Sequence, residues 1–436
     1  MNLRYANISR LCAIAGFTLF CISVLFGDLL DVTLHNNVRY LFWIVSVCFM
    51  IIGCSSNGQL IIRKKLLYYS ASWILFTLIY VVGYNQSIYK SSYYTTFRWL
   101  YYFLFMYLIA IIKTEFYSIY LRILKCIAGF YVSGVYFFLL FPQAYKIMFT
   151  IWGYWPTGTN NGLVGFRAGI ANHYSENAMY IVTTLIIVIT QYWGNQTNRK
   201  KWKQILQIVM VILALIATTK RAHVMFGVLA LVCAYYIFKP EERMNRTFKI
   251  IVGFMTGFIL LYISSFFVPF IGVIFERFSS IGVDEESNTR FLMWALALKN
   301  FKENVIVGIG WNGYKYQFNR YLYNPIVRAE RFAYLNAHNV YFQLLCETGI
   351  FGFLLYISGS IKMISKTLYL LRKNMDNNEL WVVLFSLTMQ IFFLLYSLTG
   401  NCLYDTMFAF YIVAVGCLLG YITQKYQSDI EGKCDE

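Results

Sequence analysis

The sequence predicts an all-α integral membrane protein, and three observations support that prediction. The chain has 436 residues, of which 59% are hydrophobic and 13% charged, far more apolar material than one water-soluble core needs. Apolar runs close to the length of a bilayer-spanning helix recur along the whole chain. The five prolines lie at the ends of these runs or between them, where a proline removes no helical hydrogen bond.

The apolar runs predict about twelve transmembrane helices. They lie at residues 9–27, 39–55, 66–83, 97–112, 121–141, 176–193, 204–218, 222–238, 249–268, 339–361, 381–399 and 405–423. No small-residue cleavage site follows the first run. We therefore expect this run to be retained as a helix rather than removed as a signal peptide.

Basic residues set the predicted orientation, because lysine and arginine concentrate in the cytoplasmic connections of membrane proteins. The basic clusters and both termini share one side, which is assigned to the cytoplasm. The opposite, external side holds two long segments, 142–175 and 269–337. We expect residues 1–436 to form a single polytopic domain. Residues 269–337 would be a large external loop, between the ninth and tenth predicted helices, that caps a site.

The charge and cysteine patterns argue against two classes of function. The formal net charge of +17 follows from the basic cytoplasmic connections and their attraction to lipid headgroups, so nucleic acid is not an expected partner. Nearly all of the ten cysteines lie in apolar runs, and the long external loop contains none. Neither a disulfide framework nor a zinc site is expected.

His338 is the first candidate catalytic residue, because it stands where the long external loop enters the tenth apolar run. A neutral imidazole at a membrane surface can take a proton from a sugar hydroxyl. On a continuous helix, Gly349 and Gly352 would share the face of His338 and admit a neighbouring helix. Glu347 would lie on the opposite side as a structural residue. The alternative role for His338 is an interfacial helix cap.

Three external arginines are candidates for holding an anionic leaving group, because a guanidinium fork suits the oxygen pair of a phosphate. Arg221 lies in a minimal turn between two runs, Arg167 follows a loop rich in glycine and asparagine, and Arg290 lies in a predicted interfacial helix at 288–304. Their alternative role is to reach lipid headgroups, although external arginines are depleted by the charge rule. Further cations that add to the same positive field are Lys220, Arg328 and Arg331.

Aromatic side chains follow in the external loop, from Trp311 to Tyr334. Such rings can stack against the apolar faces of sugars, which makes Trp311 a candidate substrate-binding residue. They are equally typical of an interfacial aromatic belt.

Three of these stretches resemble the O-antigen polymerase and O-antigen ligase superfamily of bacterial membrane glycosyltransferases. They are the Thr-Lys-Arg-Ala turn at 219–222, the block from Arg290 to Gly310, and the block from His338 to Gly352. The last block resembles the histidine-to-glycine spacing of the ligases. The likeness covers roughly residues 160–360. Lys220 departs from the pattern, since relatives often have serine there.

The resemblance implies a GT-C-like fold, multi-pass in the bacterial inner membrane, and a polyprenyl-diphosphate-linked saccharide as donor. It implies an inverting transfer on the external face that needs neither a metal nor a cofactor. His338 would be the general base on the acceptor hydroxyl, Arg221 and Arg290 would stabilise the departing diphosphate, and Arg167 would hold donor or acceptor. A membrane partner that regulates chain length is a further expectation.

The leading functional hypothesis is a polymerase that moves a growing chain from its lipid carrier onto the next lipid-linked repeat unit. Its product would be O-antigen, capsular polysaccharide or exopolysaccharide. The alternative is a ligase that transfers the finished glycan to lipid A core or another acceptor, because the shared motifs serve the common donor. A lipid-linked oligosaccharide flippase is a remote alternative, since this chain has neither uniformly short loops nor repeat symmetry between halves.

Overall fold

A computed structural model describes most of the chain, and the described part is helical with no β-strand. The described residues are 2–34, 38–55, 63–83, 91–144, 147, 165–171, 173–194, 201–238, 243–267, 285–315 and 335–426. This agrees with the predicted all-α class.

The first half of the chain contributes nine of the described helices. They are α1 (Asn2–Leu25), α2 (Gly27–Leu34), α3 (Val38–Cys54), α4 (Lys64–Tyr69), α5 (Ala71–Phe76), α6 (Ser91–Ile111), α7 (Tyr117–Leu140), α8 (Gly165–Ala168) and α9 (Tyr174–Gly194). The second half contributes α10 (Lys201–Ala217), α11 (Arg221–Ile237), α12 (Arg243–Phe267), α13 (Glu285–Glu303), α14 (Val340–Leu371), α15 (Asn377–Tyr396) and α16 (Met407–Gln424).

Several of these helices are apolar enough for a multi-pass membrane protein. Within the described residues, five have the length and composition to cross a membrane, and four shorter helices are also apolar. All twelve predicted apolar runs overlap described helices, but residues 66–83 divide into α4, α5 and a π-helical turn at Thr77–Gly83. The number of about twelve transmembrane helices stays a prediction.

Helices α15 and α16 form the centre of the bundle. The most apolar window of α16 is 94% buried inside the protein, so this helix is surrounded by other helices rather than by lipid. Helix α15 packs against α9 and α11, and α16 packs against α6. The turn between them, residues 397–406, lies beside the first residues of α9 and α14, at the end of the bundle predicted to be external.

Helix α14 is broken in its first half, and residues 305–310 supply hydrogen bonds to the opened backbone. Gly349 has φ 60° and ψ −168°, a backbone conformation that is not helical. The nearby backbone groups bond to the segment that follows α13 instead. These bonds run from Ile309 N to Cys346 O (3.0 Å), from Gly310 N to Glu347 O (2.9 Å) and from Ile350 N to Val305 O (2.8 Å).

The predicted continuous helix from His338 to Gly352 is therefore wrong. The helix begins at Val340, after His338, and its regular geometry is interrupted at Gly349. A Cβ atom added at Gly349 would lie 2.3 Å from the carbonyl oxygen of Ile306. This glycine admits the backbone of the segment after α13, not the neighbouring helix that the sequence predicted.

Gly349→Ala should strongly reduce the yield of folded protein. The substitution combines a backbone conformation that is essentially restricted to glycine, and that costs a residue with a Cβ about 1–3 kcal/mol, with a backbone clash that cannot relax easily. Fluorescence-detected size-exclusion chromatography of detergent extracts would measure the folded fraction.

Gly253→Ala in α12 is the matched control, because a Cβ there meets no heavy atom within 4 Å. The control should match the wild type. Equal folded yields for Gly349→Ala and wild type would contradict the described break in α14.

Candidate active site

His338 is held by the turn between α15 and α16. Its backbone N donates to Asn401 Oδ1 at 2.9 Å, and its Nδ1 lies 3.3 Å from Asn401 Nδ2. The residue has φ 53° and is half-buried. His338 thus precedes α14 as an oriented side chain, and Asn339 is the residue that caps the helix.

The residues around His338 are bonded to the same turn. Asn339 accepts from Phe342 N at 3.0 Å through its side-chain oxygen, while its Nδ2 donates to Leu398 O at 3.0 Å. Val340 N donates to Ser397 O at 2.8 Å. The beginning of α14 therefore has little freedom to shift relative to residues 397–401.

Glu347 is a buried junction below this segment. It accepts hydrogen bonds from Tyr404 Oη at 2.6 Å, from Gln343 Nε2 at 2.9 Å and from Tyr314 N at 3.3 Å. Buried carboxylates persist when several donors satisfy them. Its bonds within α14 and to two other segments agree with the structural role that the sequence predicted.

Arg290 lies on α13, which confirms a helix in the region predicted at 288–304. The arginine is half-buried and interacts electrostatically with Tyr396 at the end of α15. Helix α13 is fixed to α14 by an edge-on contact between Trp294 and Phe342, with ring centroids 5.9 Å apart. Packing on α14 therefore orients the helix that carries Arg290.

Arg221 is the first residue of α11, directly after the short turn 218–220. Lys220 Nζ lies 3.9 Å from the centre of the Tyr174 ring at the start of α9. Two residues after Arg221, the ring of His223 packs 4.4 Å from that of Tyr396. Arg221 thus stands at the end of the bundle where α9, α11 and α15 meet.

Arg167 lies on the short helix α8, whose position is fixed by α9. Its carbonyl oxygen accepts from Asn177 Nδ2 at 2.8 Å, and the residue is 8% exposed. Gly169, with φ 55°, makes the turn between the two helices; a Cβ there would lie 3.0 Å from Asn177 Nδ2. Arg167 is therefore a buried residue that packs close to the beginning of α9.

The turn from α15 to α16, together with Tyr396, links His338, Arg290 and the helix that carries Arg221. Tyr396 contacts His223 on α11, hydrogen-bonds Ser175 on α9 and interacts with Arg290 on α13. Five residues later, Asn401 holds His338. Segments far apart in sequence therefore converge on residues 396–401.

Backbone strain is found in two of the three sequence blocks and two residues after the third. Across the described residues, the non-glycine positions with positive φ are Thr219, Asn312 and His338. A β-branched residue such as Thr219 rarely adopts this conformation. Strain of this kind persists where surrounding contacts fix the backbone, and it is often found at functional sites.

Two aromatic residues expected to be able to contact sugars are core residues instead. Trp311 is 1% exposed and stacks with Tyr404 at 5.3 Å, and Tyr314 is fully buried. The predicted sugar-binding role of Trp311 is therefore replaced by a packing role. The backbone groups of its neighbours Asn312 and Tyr314 bond to the buried carboxylate of Glu347. These bonds explain why Trp311 is buried. Arg328 and Arg331 lie outside the described residues.

The structure places further polar residues, not predicted from the sequence, at the turn between α15 and α16. Arg98, in the first part of α6, donates to the carbonyl of Tyr404. Asp405 retains solvent access but is crowded by protein, which raises the pKa of its carboxyl to about 6; the positive charges of Arg98 and Lys315 act in the opposite direction. The sequence feature that could have identified Asp405 is the turn from Asn401 to Asp405 between two apolar runs.

Comparison with family models finds a match over the middle of the chain. Residues 206–357 match the family model described as O-Antigen ligase, and the matched segment includes Arg221, Arg290 and His338. No curated protein matches the chain. The match confirms the predicted resemblance to the O-antigen polymerase and ligase superfamily. Over this segment the chain is therefore similar to a family described as O-Antigen ligase.

Asp405→Asn should make folded-state stability less dependent on pH. An acid whose pKa rises on folding, here from 3.8 to about 6, stabilises the fold fully below its unfolded pKa. That contribution is lost as the pH rises through the folded value. Wild-type thermal stability should fall across this window, while the variant should change less and unfold at a higher temperature at neutral pH.

Thermal unfolding in detergent across the same pH series is the measurement. Glu115→Gln, which neutralises an exposed acid before α7, serves as the control and should keep the wild-type dependence. An Asp405→Asn profile identical to wild type would contradict the raised pKa.

Proposed function

We propose that this protein is a glycosyltransferase of the bacterial inner membrane that uses a polyprenyl-diphosphate-linked saccharide. The convergence of Arg290, His338 and the helix of Arg221 on residues 396–401 carries the proposal. These are the positions at which the superfamily resemblance implies catalytic residues. Both termini would lie in the cytoplasm and the site at the external face.

The reaction joins the anomeric carbon of the donor sugar to an acceptor hydroxyl. The bond between that carbon and the diphosphate oxygen breaks, and its electron pair leaves with the diphosphate. The acceptor oxygen attacks from the opposite face, so the configuration inverts. His338 is held by Asn401 in the turn between α15 and α16, and the resemblance implies that it takes the hydroxyl proton.

The arginines stabilise the charge that develops on the departing diphosphate. Arg221 and Arg290 are half-buried, so their charges act in a medium with less screening than bulk water. Guanidinium groups bind phosphate oxygens in pairs, and stabilisation of a leaving group is often the largest catalytic term. Arg167 would position donor or acceptor, and further cations that add to the field are Lys220, Arg328 and Arg331.

We favour a polymerase that adds the growing chain to the next lipid-linked repeat unit of an O-antigen, capsular polysaccharide or exopolysaccharide. A membrane partner would regulate chain length. The sequence from Glu347 to Gly352, which resembles polymerases, supports this choice. The second candidate is a ligase, which the description of the matching family supports.

A deletion strain distinguishes these functions by what remains on the cell. A polymerase mutant should lose the glycan ladder but retain single repeat units on lipid A core or the cell surface. A ligase mutant should still make polymer on its lipid carrier and fail to attach it. Purified protein that scrambles labelled lipid across liposomes without joining sugars would favour a flippase.

Complementation with Arg221→Ala, Arg290→Ala or His338→Ala should fail to restore surface glycan. Each change removes a group that acts on the transition state, and loss of one such donor typically slows a reaction about 10²- to 10³-fold. Glycan ladders on gels, normalised to membrane expression, are the readout.

Arg122→Ala is the matched control, because this arginine is exposed on α7 and lies in a basic cluster predicted to be cytoplasmic. It should restore the ladder. A normal ladder from well-expressed His338→Ala would contradict a catalytic role for the histidine.

A further inference from the structure

We propose that Asn401 fixes the tautomer of His338, so that the ring offers Nε2–H as a hydrogen-bond donor and does not act as a proton acceptor. Asn401 is then a positioning residue. The inference rests on the proposed function, since it names what His338 does in that reaction, and it reverses the general-base role implied by the resemblance.

The orientation of the Asn401 amide follows from the backbone of His338. A backbone N–H can only donate, so the side-chain atom 2.9 Å from His338 N must be the amide oxygen. The amide nitrogen then faces His338 Nδ1 at 3.3 Å. Because an NH₂ group only donates, Nδ1 must accept. A neutral imidazole that accepts at Nδ1 carries its hydrogen on Nε2.

The surrounding turn keeps the Asn401 side chain in place. Tyr404 N donates to the Asn401 carbonyl at 2.7 Å, and Arg98 donates to the carbonyl of Tyr404. Asn339 Nδ2 holds the Leu398 carbonyl at 3.0 Å on the other side. A flip of the amide would place its NH₂ group against the backbone N–H of His338, donor against donor. The tautomer is therefore set by the fold.

In the reaction, His338 would donate Nε2–H to an oxygen of the departing diphosphate and keep its proton throughout. The electron pair of the broken bond goes to the diphosphate, as the arginine charges favour. The acceptor hydroxyl forms the new bond on the face opposite the diphosphate, and its proton passes to solvent water. The diphosphate leaves as an anion, so atoms and charge balance with water as the proton acceptor.

Asn401→Asp discriminates between the two roles. Aspartate keeps an oxygen for the backbone N–H of His338 but replaces the NH₂ donor with an acceptor, which draws the ring hydrogen to Nδ1. If His338 is a donor, activity at neutral pH should fall at least about tenfold, as is typical when an orienting partner is lost. If His338 is a general base, the same change creates an oriented Asp–His pair, and activity should be retained or rise.

The pH profile provides a second test that a purely structural defect would not mimic. Acidification of Asn401→Asp produces the imidazolium, which again carries Nε2–H, so the donor role predicts partial recovery of activity as the pH falls. If His338 were a general base, the activity of Asn401→Asp would decrease as the pH falls. Asn374→Asp, at an exposed position between α14 and α15, is the control for the substitution itself and should behave like wild type.

The tautomer can be measured without any assay of activity, by ¹⁵N-histidine NMR of the full-length protein in detergent. The chain has four histidines, so a His338→Gln spectrum identifies the signal. Nε2–H in wild type and its loss in Asn401→Asp are expected. Nδ1–H in wild type, or full activity of Asn401→Asp at neutral pH, would overturn the proposal. An inactive wild type with the Nε2–H tautomer would instead overturn the proposed function.

Discussion

The opened backbone of α14 is the constraint on which the site depends. A helix in an apolar environment can release its internal hydrogen bonds only where other protein groups replace them. Residues 305–310 replace them here, through bonds to Cys346, Glu347 and Ile350. Because these residues directly follow α13, the same bonds fix the helix that carries Arg290. They also lead into the turn whose backbone N–H at Tyr314 reaches the carboxylate of Glu347.

The turn between α15 and α16 completes the arrangement from the other side. Helix α16 is buried and its neighbour α15 is packed on several faces, so the connecting turn has a well-defined position. Tyr404 donates to Glu347, while Asn401 holds His338. The break in α14 and this turn thus share Glu347 as a common anchor. A histidine with positive φ is maintained because bonds on both sides of it leave few alternatives.

Electrostatics at this end of the bundle combine cations with a small number of acids. Arg98 and Lys315 act on Asp405, and Arg290 acts on Tyr396. An anionic diphosphate would be attracted to such a region, and the partial burial of the arginines limits screening by salt. Asp405 limits the net positive charge at this end of the bundle.

Much of the fold was predictable, because apolar runs of bilayer length place helices directly. The twelve runs all overlap helices, and charge and boundary arguments selected His338, Arg221 and Arg290 as candidates. Two features did not follow from pattern alone. The break at Gly349 depends on a contact with residues 305–310, which periodicity within α14 cannot reveal. Asn401 and Arg98 act through tertiary hydrogen bonds, and the burial of Trp311 depends on Tyr404, which is distant in sequence.

Reconstitution of the purified protein with a synthetic polyprenyl-diphosphate oligosaccharide, and no other protein, tests the central claim most directly. Mass spectrometry of the lipid fraction would count repeats and released carrier. A single external glycosyl-transfer site predicts lipid-linked products of two or more repeats, with one polyprenyl diphosphate released for each new bond. Donor lipid that is bound, or moved across the bilayer, without any new glycosidic bond would contradict it.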